Sequence, residues 1–196
     1  MKSKEIGILD VIVGPMFSGK SEELVRRLHR FQIAKIKTKV FNHSSDVRYS
    51  KKQIASHSDL NWDANFVSKS EDILNHIKKS TDVVIIDEIQ FFEDQIINVI
   101  ESLLNKGINV IVAGLDTNFR GEPFGVVPWL LSVADGQVLK LRSVCAICRK
   151  WNATRTQRLL ANGNPAPYSD PLIKIGALDF YQARCREHHV VPGKEY

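Results

Sequence analysis

The sequence contains no hydrophobic run long enough to cross a bilayer. Its longest apolar segments, Ile108–Leu115 and Val83–Ile86, fall far short of the roughly 20 apolar residues that a membrane helix needs, and Asn109 interrupts the first. The opening residues, Met1–Glu5, lead directly into a strand-like segment without the apolar region of a secretory signal peptide. We therefore expect a cytoplasmic protein that does not associate with membranes.

Cysteine is scarce, with three residues in a chain of 196. Three cysteines cannot all pair within one chain, and the lack of a secretory signal argues against a disulfide framework. Cys145 and Cys148 are separated by two residues, as are Cys185 and His188. Two such pairs are typical of a tetrahedral structural zinc site, whereas a redox Cys-x-x-Cys belongs on a thioredoxin-like framework that this sequence lacks. The sequence thus predicts zinc bound by these four residues, with His189 as an alternative fourth ligand.

Most of the chain lacks an excess of either charge. Residues 1–140 hold 18 basic and 18 acidic side chains, whereas residues 141–196 hold 9 and 4, so the net charge of +5 arises in the C-terminal part. Five of the basic residues lie near the cysteines in sequence: Arg142, Arg149, Lys150, Arg184 and Arg186. Thiolates on a divalent metal account for this local charge at least as well as a nucleic acid would. We therefore expect no stable nucleic-acid partner.

Strand and helix patterns alternate over the first two thirds of the chain. The predicted strands are apolar throughout and comprise Gly7–Val13, Thr38–Phe41, Val83–Asp87 and Asn109–Ala113. The predicted helices are Ser21–Ala34, Glu71–Lys79 and Glu93–Lys106, the last closed by Gly107. A polar stretch, Asn42–Asp63, is expected to form a long loop. The pattern predicts an α/β fold over residues 1–140, with helices on both faces of a parallel sheet, and a second small domain over residues 141–196.

A complete phosphate-binding motif, G-x-x-x-x-G-K-[ST], follows the first strand and precedes the first helix. It consists of Gly14, Pro15, Met16, Phe17, Ser18, Gly19, Lys20 and Ser21. Backbone amides of such a loop, together with the positive end of the helix, bind phosphate oxygens. Lys20 would reach the β- and γ-phosphates of ATP, and the Ser21 hydroxyl would bind Mg²⁺.

Two carboxylates, Asp87 and Glu88, follow the buried strand Val83–Asp87 at the end where open α/β sheets bind ligands. Asp87 is expected to bind Mg²⁺ indirectly, and Glu88 can accept a proton from an attacking oxygen. If that oxygen belongs to water the protein is an ATPase, and if it belongs to a substrate hydroxyl the protein is a kinase. These two motifs leave the acceptor open.

Several motifs, in order along the chain, resemble the thymidine kinase family of the cytosolic, zinc-containing type, also called type II. The likeness extends from Gly7 to His188. It rests on the phosphate loop, Asp46-x-Arg48-Tyr49-Ser50, Asp87-Glu88-x-Gln90-Phe91-Phe92, Gly114-Leu115-Asp116-x-x-Phe119, Pro123-Phe124-Gly125, Cys145-x-x-Cys148, Ile175-Gly176, Tyr181 and Cys185. The family's second metal pair is usually two cysteines, whereas this chain has His188 in the last position.

The resemblance implies a P-loop (RecA-like) domain followed by a zinc-containing C-terminal lasso domain. It implies that Glu88 is the general base toward the 5′-hydroxyl of thymidine or deoxyuridine, that Asp46 approaches the sugar, and that Arg48 offsets charge on the transferring phosphate. The base would be enclosed by Met16, Phe91, Leu115, Phe119 and Tyr181, with Gln90 nearby. Main-chain groups of Leu172, Ile173, Lys174, Ile175 and Gly176 would read its edge. The resemblance also implies a homotetramer with feedback inhibition by dTTP.

Three alternatives remain at the level of sequence. An ATPase acting on nucleic acid would hydrolyse ATP without a nucleoside, although the even charge of residues 1–140 does not favour it. A zinc-dependent scaffold that uses nucleotide as a switch would have no use for an aromatic pocket. A kinase for deoxyguanosine or deoxycytidine would generally lack this zinc module.

Overall fold

The computed structural model describes residues 5–45, 53–55, 61–173 and 180–195. Its strands, in chain order, are β1 (Leu9–Val13), β2 (Thr38–His43), β3 (Gln53–Ala55), β4 (Asn61–Asp63), β5 (Asn65–Val67), β6 (Val83–Asp87), β7 (Asn109–Gly114), β8 (Val138–Lys140), β9 (Arg155–Arg158) and β10 (Tyr181–Arg184). Six of them form one sheet in the order β5-β2-β6-β7-β1-β8, and every neighbouring pair is parallel. The predicted parallel α/β sheet is therefore confirmed.

Helices cover both faces of this sheet. They are α1 (Lys20–Ile33), α2 (Asp72–Asn75), α3 (Gln95–Leu104) and α4 (Val127–Val133). Leu24 and Leu28 of α1 pack on one face, in a cluster with Ile12 and Ile85. The apolar sides of α3 and α4 pack on the opposite face, where alternate strand residues such as Val84 and Val112 are fully buried. Because both faces are covered, the central strands are apolar at nearly every position.

Two small antiparallel hairpins lie outside the main sheet. One pairs β3 with β4, within the polar stretch that we expected to be a loop. That expectation was wrong for Gln53–Ala55 and Asn61–Asp63, and also for Asn42–His43, which extend β2. The other hairpin pairs β9 with β10 in the register Arg158 to Tyr181. It lies within the residues assigned to the small C-terminal domain, whose boundary at residue 140 stays a prediction.

The second helix is shorter than the sequence predicted. Only Asp72–Asn75 is helical, whereas Glu71–Lys79 was expected. The hydroxyl of Thr81 accepts a hydrogen bond from the Lys78 amide at 3.1 Å, so this amide is used in a turn that stops the helix. The strands β5 and β8 and the helix α4 were not predicted, because segments this short carry little periodic signal.

The longest helix in the described ranges has 14 residues, and no helix there is long and apolar enough to span a bilayer.

Candidate active site and metal centre

Three adjacent strand ends bring the sequence motifs together. β7 lies between β1 and β6 in the sheet, and all three run in the same direction. The phosphate loop follows β1, the pair Asp87 and Glu88 ends β6, and Leu115 follows β7. The carboxyl ends of parallel strands meet at one edge, which is where open α/β sheets bind ligands.

The phosphate loop is closed by residues in the left-handed region. Gly19, directly before α1, has φ +83°, and Phe17 has φ +63°. These conformations turn the chain tightly enough for the helix to begin at Lys20. The buried Lys20 ammonium donates to the carbonyls of Gly14 at 3.1 Å and Pro15 at 2.8 Å. The lysine is thus held along the loop that the motif predicts to bind phosphate.

Two hydrogen bonds connect the C-terminal part of the chain to the phosphate loop. The Met16 amide donates to the Thr156 hydroxyl at 3.0 Å, and the Ser143 hydroxyl donates to the Phe17 carbonyl at 2.8 Å. Both hydroxyl groups belong to buried residues. Sequence reasoning missed Ser143 and Thr156, because isolated hydroxyl residues in short irregular segments carry no recognisable pattern.

Glu88 is buried and held at the end of β6 in an uncommon conformation. Its backbone is left-handed, with φ +52° and ψ +40°, and its amide donates to the Asp87 carboxylate at 2.9 Å. The Gln90 amide nitrogen donates to Glu88 Oε2 at 2.5 Å, and its oxygen accepts from the Leu115 amide at 2.9 Å. Gln90 therefore fixes the glutamate and joins it to the chain after β7.

Two glycines make room for Gln90. A Cβ on Gly114 would lie 2.3 Å from Gln90 Oε1, and one on Gly125 would lie 2.7 Å from the Gln90 carbonyl oxygen. Gly125 also has φ +51°, which L residues adopt at a cost. Both glycines appear in the sequence motifs, and the close approach of Gln90 is the physical reason for them.

The predicted base-binding residues are only partly described. Met16 and Phe119 are buried, Phe91, Leu115 and Tyr181 are partly buried, and Leu172 and Ile173 are exposed. The ring of Phe91 meets that of Phe124 edge-on, with centroids 6.1 Å apart. Five predicted site residues lie outside the described residues, namely Asp46, Arg48, Lys174, Ile175 and Gly176.

The four predicted metal ligands converge on one point. The ligand atoms of Cys145, Cys148, Cys185 and His188 all lie within 4.8 Å of one another. His188 presents Nδ1, which is 3.0 Å from Cys185 Sγ and 3.8 Å from Cys145 Sγ. Three thiols and one imidazole, partly or fully buried, are a donor set that fits zinc. The cluster could therefore hold a zinc ion.

The environment of the cluster favours the thiolate form of Cys145. Burial works to raise the pKa of Cys145, but the backbone amides of Cys148, Cys185 and Ile147 outweigh it and lower the pKa to about 6. Burial raises the pKa of Cys185. Amides directed at a sulfur are the usual surroundings of a thiolate that binds a metal.

His189, the alternative ligand, points elsewhere. Its Nε2 donates to the Phe119 carbonyl at 2.9 Å, and burial lowers the pKa of its imidazole. A Cβ on Gly121 would lie 3.2 Å from its ring. His188 is therefore the histidine of the cluster, while His189 joins the turn that carries His188 to the chain after β7.

A protein-family model described as thymidine kinase matches residues 7–189, which is nearly the whole chain. The match spans the phosphate loop, the carboxylates at the end of β6 and the metal cluster, and it agrees with the resemblance inferred from the motifs. The chain therefore belongs to the thymidine kinase family, whose members phosphorylate thymidine.

Proposed function

We propose that this protein transfers the γ-phosphate of Mg·ATP to the 5′-hydroxyl of thymidine, and also of deoxyuridine, for nucleotide salvage in DNA synthesis. The observation that carries the proposal is the buried Glu88 carboxylate, which Gln90 orients at the same edge of the sheet as the phosphate loop. A carboxylate fixed at this place can take a proton from a hydroxyl as that hydroxyl attacks a phosphate.

The chain supplies the remaining groups from the same edge. The backbone amides of the phosphate loop and the Lys20 ammonium would bind the transferring phosphate. Ser21 and Asp87 would hold Mg²⁺, which neutralises phosphate charge when bound. Arg48 and Asp46, carried over from the resemblance, would contact the transferring phosphate and the sugar.

The nucleoside base would lie against aromatic and apolar side chains. Phe91, Leu115, Phe119, Met16 and Tyr181 offer flat surfaces that bury a heterocycle while restricting its orientation. Main-chain groups of residues 172–176 would read its polar edge. Mismatched buried polar groups typically cost about 1–3 kcal/mol, so this edge would reject cytosine.

The zinc ion would have a structural role. Cys145, Cys148, Cys185 and His188 would complete a tetrahedral shell and leave no open position for a substrate. Among the described residues after 140, the structure has one short two-stranded hairpin with a small buried cluster. A core this small needs an added constraint, which the metal would provide.

The test is phosphate transfer from labelled Mg·ATP to a panel of nucleosides by the unsubstituted protein and by Glu88→Gln. We expect labelled thymidine monophosphate from the unsubstituted protein and a loss of about 10²–10⁴-fold in kcat for the variant. Glu101→Gln is the matched control, because Glu101 is exposed on α3. If ATP is consumed at the same rate with and without nucleoside, water is the acceptor and the proposal is wrong.

The assembly and regulation of the protein are also proposals from the family. A cytoplasmic homotetramer inhibited by dTTP predicts a mass of about four chains of 22.2 kDa in light scattering. It also predicts that dTTP lowers the rate at subsaturating thymidine. A monomer whose activity ignores dTTP would contradict both statements.

A further inference from the structure

Arg158, on β9, is the largest side chain that the described structure buries completely. Only 1% of it is exposed. An arginine stays charged at any physiological pH, so its burial requires partners that replace water. The positions of those partners indicate what the residue does.

The first partner is an aromatic ring. The guanidinium carbon of Arg158 lies 3.6 Å from the centroid of the Phe119 ring, and only 4% of Phe119 is exposed. A guanidinium at this distance covers the face of the ring, and the contact is stronger when water is excluded from it. Arg158 therefore restricts the position of Phe119.

The second partner is the segment that precedes residues 174–179. Arg158 Nη2 lies 2.6 Å from the Asp170 carboxylate, and Nη1 donates to the Leu172 carbonyl at 3.3 Å. One planar group thus joins Phe119 to residues 170–172. Lysine offers a single point charge and cannot reproduce a face stack together with two separate hydrogen bonds.

Neighbouring residues support the same arrangement. Arg120 lies over the Tyr168 ring at 4.4 Å and donates to the Asp170 carbonyl at 3.1 Å. The Phe119 carbonyl accepts a hydrogen bond from His189. The ring and the main chain of Phe119 are therefore both held by residues from the C-terminal part of the chain.

We propose that Arg158 is a positioning residue for the nucleoside: it sets the Phe119 ring and the Asp170–Leu172 segment at the spacing that the base requires. This inference rests on the proposed placement of the thymine ring against Phe119. Arg158 acts through these groups and contacts no reacting atom. Its loss weakens thymidine binding and leaves phosphate transfer from bound substrates nearly unchanged.

The experiment compares Arg158→Lys and Arg158→Met with the unsubstituted protein. We expect KM for thymidine to rise about tenfold or more, with kcat and KM for ATP within about twofold. Arg27→Lys is the matched control, since this buried arginine of α1 bonds to Glu23, Asp10 and Gln137, none of which lies in a proposed site. The control leaves KM for thymidine unchanged. Zinc content and melting temperature are measured for each protein.

A second set of variants covers the case in which Arg158 variants fail to fold. Asp170→Asn weakens the contact between Arg158 and the 170–172 segment and is expected to raise KM for thymidine several-fold. Phe119→Leu combined with Arg158→Lys tests coupling: if Arg158 acts through Phe119, the double variant is little worse than Phe119→Leu alone.

Two results would overturn the inference. One is an unchanged KM for thymidine in folded, zinc-loaded Arg158→Lys and Asp170→Asn. The other is that KM rises equally for ATP and thymidine and that the variants have lost zinc. This result would mean that the substitution damages the whole hairpin and does not act through Phe119. Failure of the proposed function is distinguishable, since the unsubstituted protein would then form no thymidine monophosphate.

Discussion

At the scale of single residues, Glu88 combines backbone strain with a fixed side chain. A non-glycine residue in the left-handed region costs on the order of 1–3 kcal/mol when the surroundings impose it. Here the conformation lets the Glu88 amide bond to Asp87 while its carboxylate meets Gln90. The hydrogen bonds to Asp87 and Gln90 hold both carboxylates at one strand end, where the proposed chemistry needs them.

Gln90→Met tests whether this orientation matters for catalysis. Methionine is similar in length but provides neither the donor for Glu88 nor the acceptor for the Leu115 amide. We expect kcat with thymidine to fall about ten- to hundredfold in steady-state kinetics. Gln95→Met is the control, because Gln95 is exposed at the start of α3. A kcat within twofold of the unsubstituted value would show that Glu88 needs no help from Gln90.

The sequence could nominate candidate site residues where a residue with distinctive chemistry stands in a motif. Lys20, Glu88 and the three cysteines each stand in a motif whose spacing has a physical meaning. The contacts of Arg158 and His189 could not be assigned, because they join residues far apart in the chain. His189 bonds to a carbonyl 70 positions away, and nothing in its local sequence indicates that partner.

At the scale of elements, the phosphate loop depends on segments that follow the sheet. The loop between β1 and α1 is attached to Ser143 and, through β9, to Thr156. The loop geometry is therefore set by its own glycines and also by residues more than a hundred positions later.

Ser143→Ala tests this attachment. It removes the hydrogen bond to the Phe17 carbonyl, which is worth about 0.5–1.5 kcal/mol, and leaves that carbonyl without this donor. We expect KM for ATP to rise about two- to tenfold while KM for thymidine changes less. Ser132→Ala is the control, since its hydroxyl bonds within α4 to the Pro128 carbonyl. Equal effects on both substrates would argue that Ser143 stabilises the fold without tuning the loop.

Helices and strands could be predicted from the sequence where at least one of their faces is buried along the whole element. β6 was predicted with its observed bounds, Val83–Asp87, because each of its residues is buried. The helices α1 and α3 were predicted to within two residues at each end, since their apolar stripes repeat with the helical period. β5 and β8 have three residues each, and only pairing with a neighbour defines them.

At the scale of the whole molecule, the proposed zinc site is connected to both proposed substrate sites. The turn that carries His188 continues into His189, which bonds to Phe119, and the adjoining hairpin carries Thr156 and Arg158. Loss of the metal should therefore affect binding of both substrates as well as stability.

Chelation provides the corresponding prediction. We expect about one zinc per chain, and removal by a strong chelator should lower the melting temperature by about 10 °C or more and abolish activity until zinc is restored. His188→Ala should lose zinc, His188→Cys should retain it, and His189→Ala should retain it because His189 is not in the cluster. Zinc analysis showing none in active, freshly purified protein would contradict the assignment.

The position of β1 in the sheet has a consequence for synthesis on the ribosome. β1 precedes both of its sheet neighbours in the chain, since β7 begins at residue 109 and β8 at residue 138. At about 5–20 residues per second, the nascent chain waits several seconds before this strand can be enclosed. The apolar residues of β1 are exposed to chaperones or to aggregation throughout that interval, and the phosphate loop can form only after β7 and β8 have been synthesised.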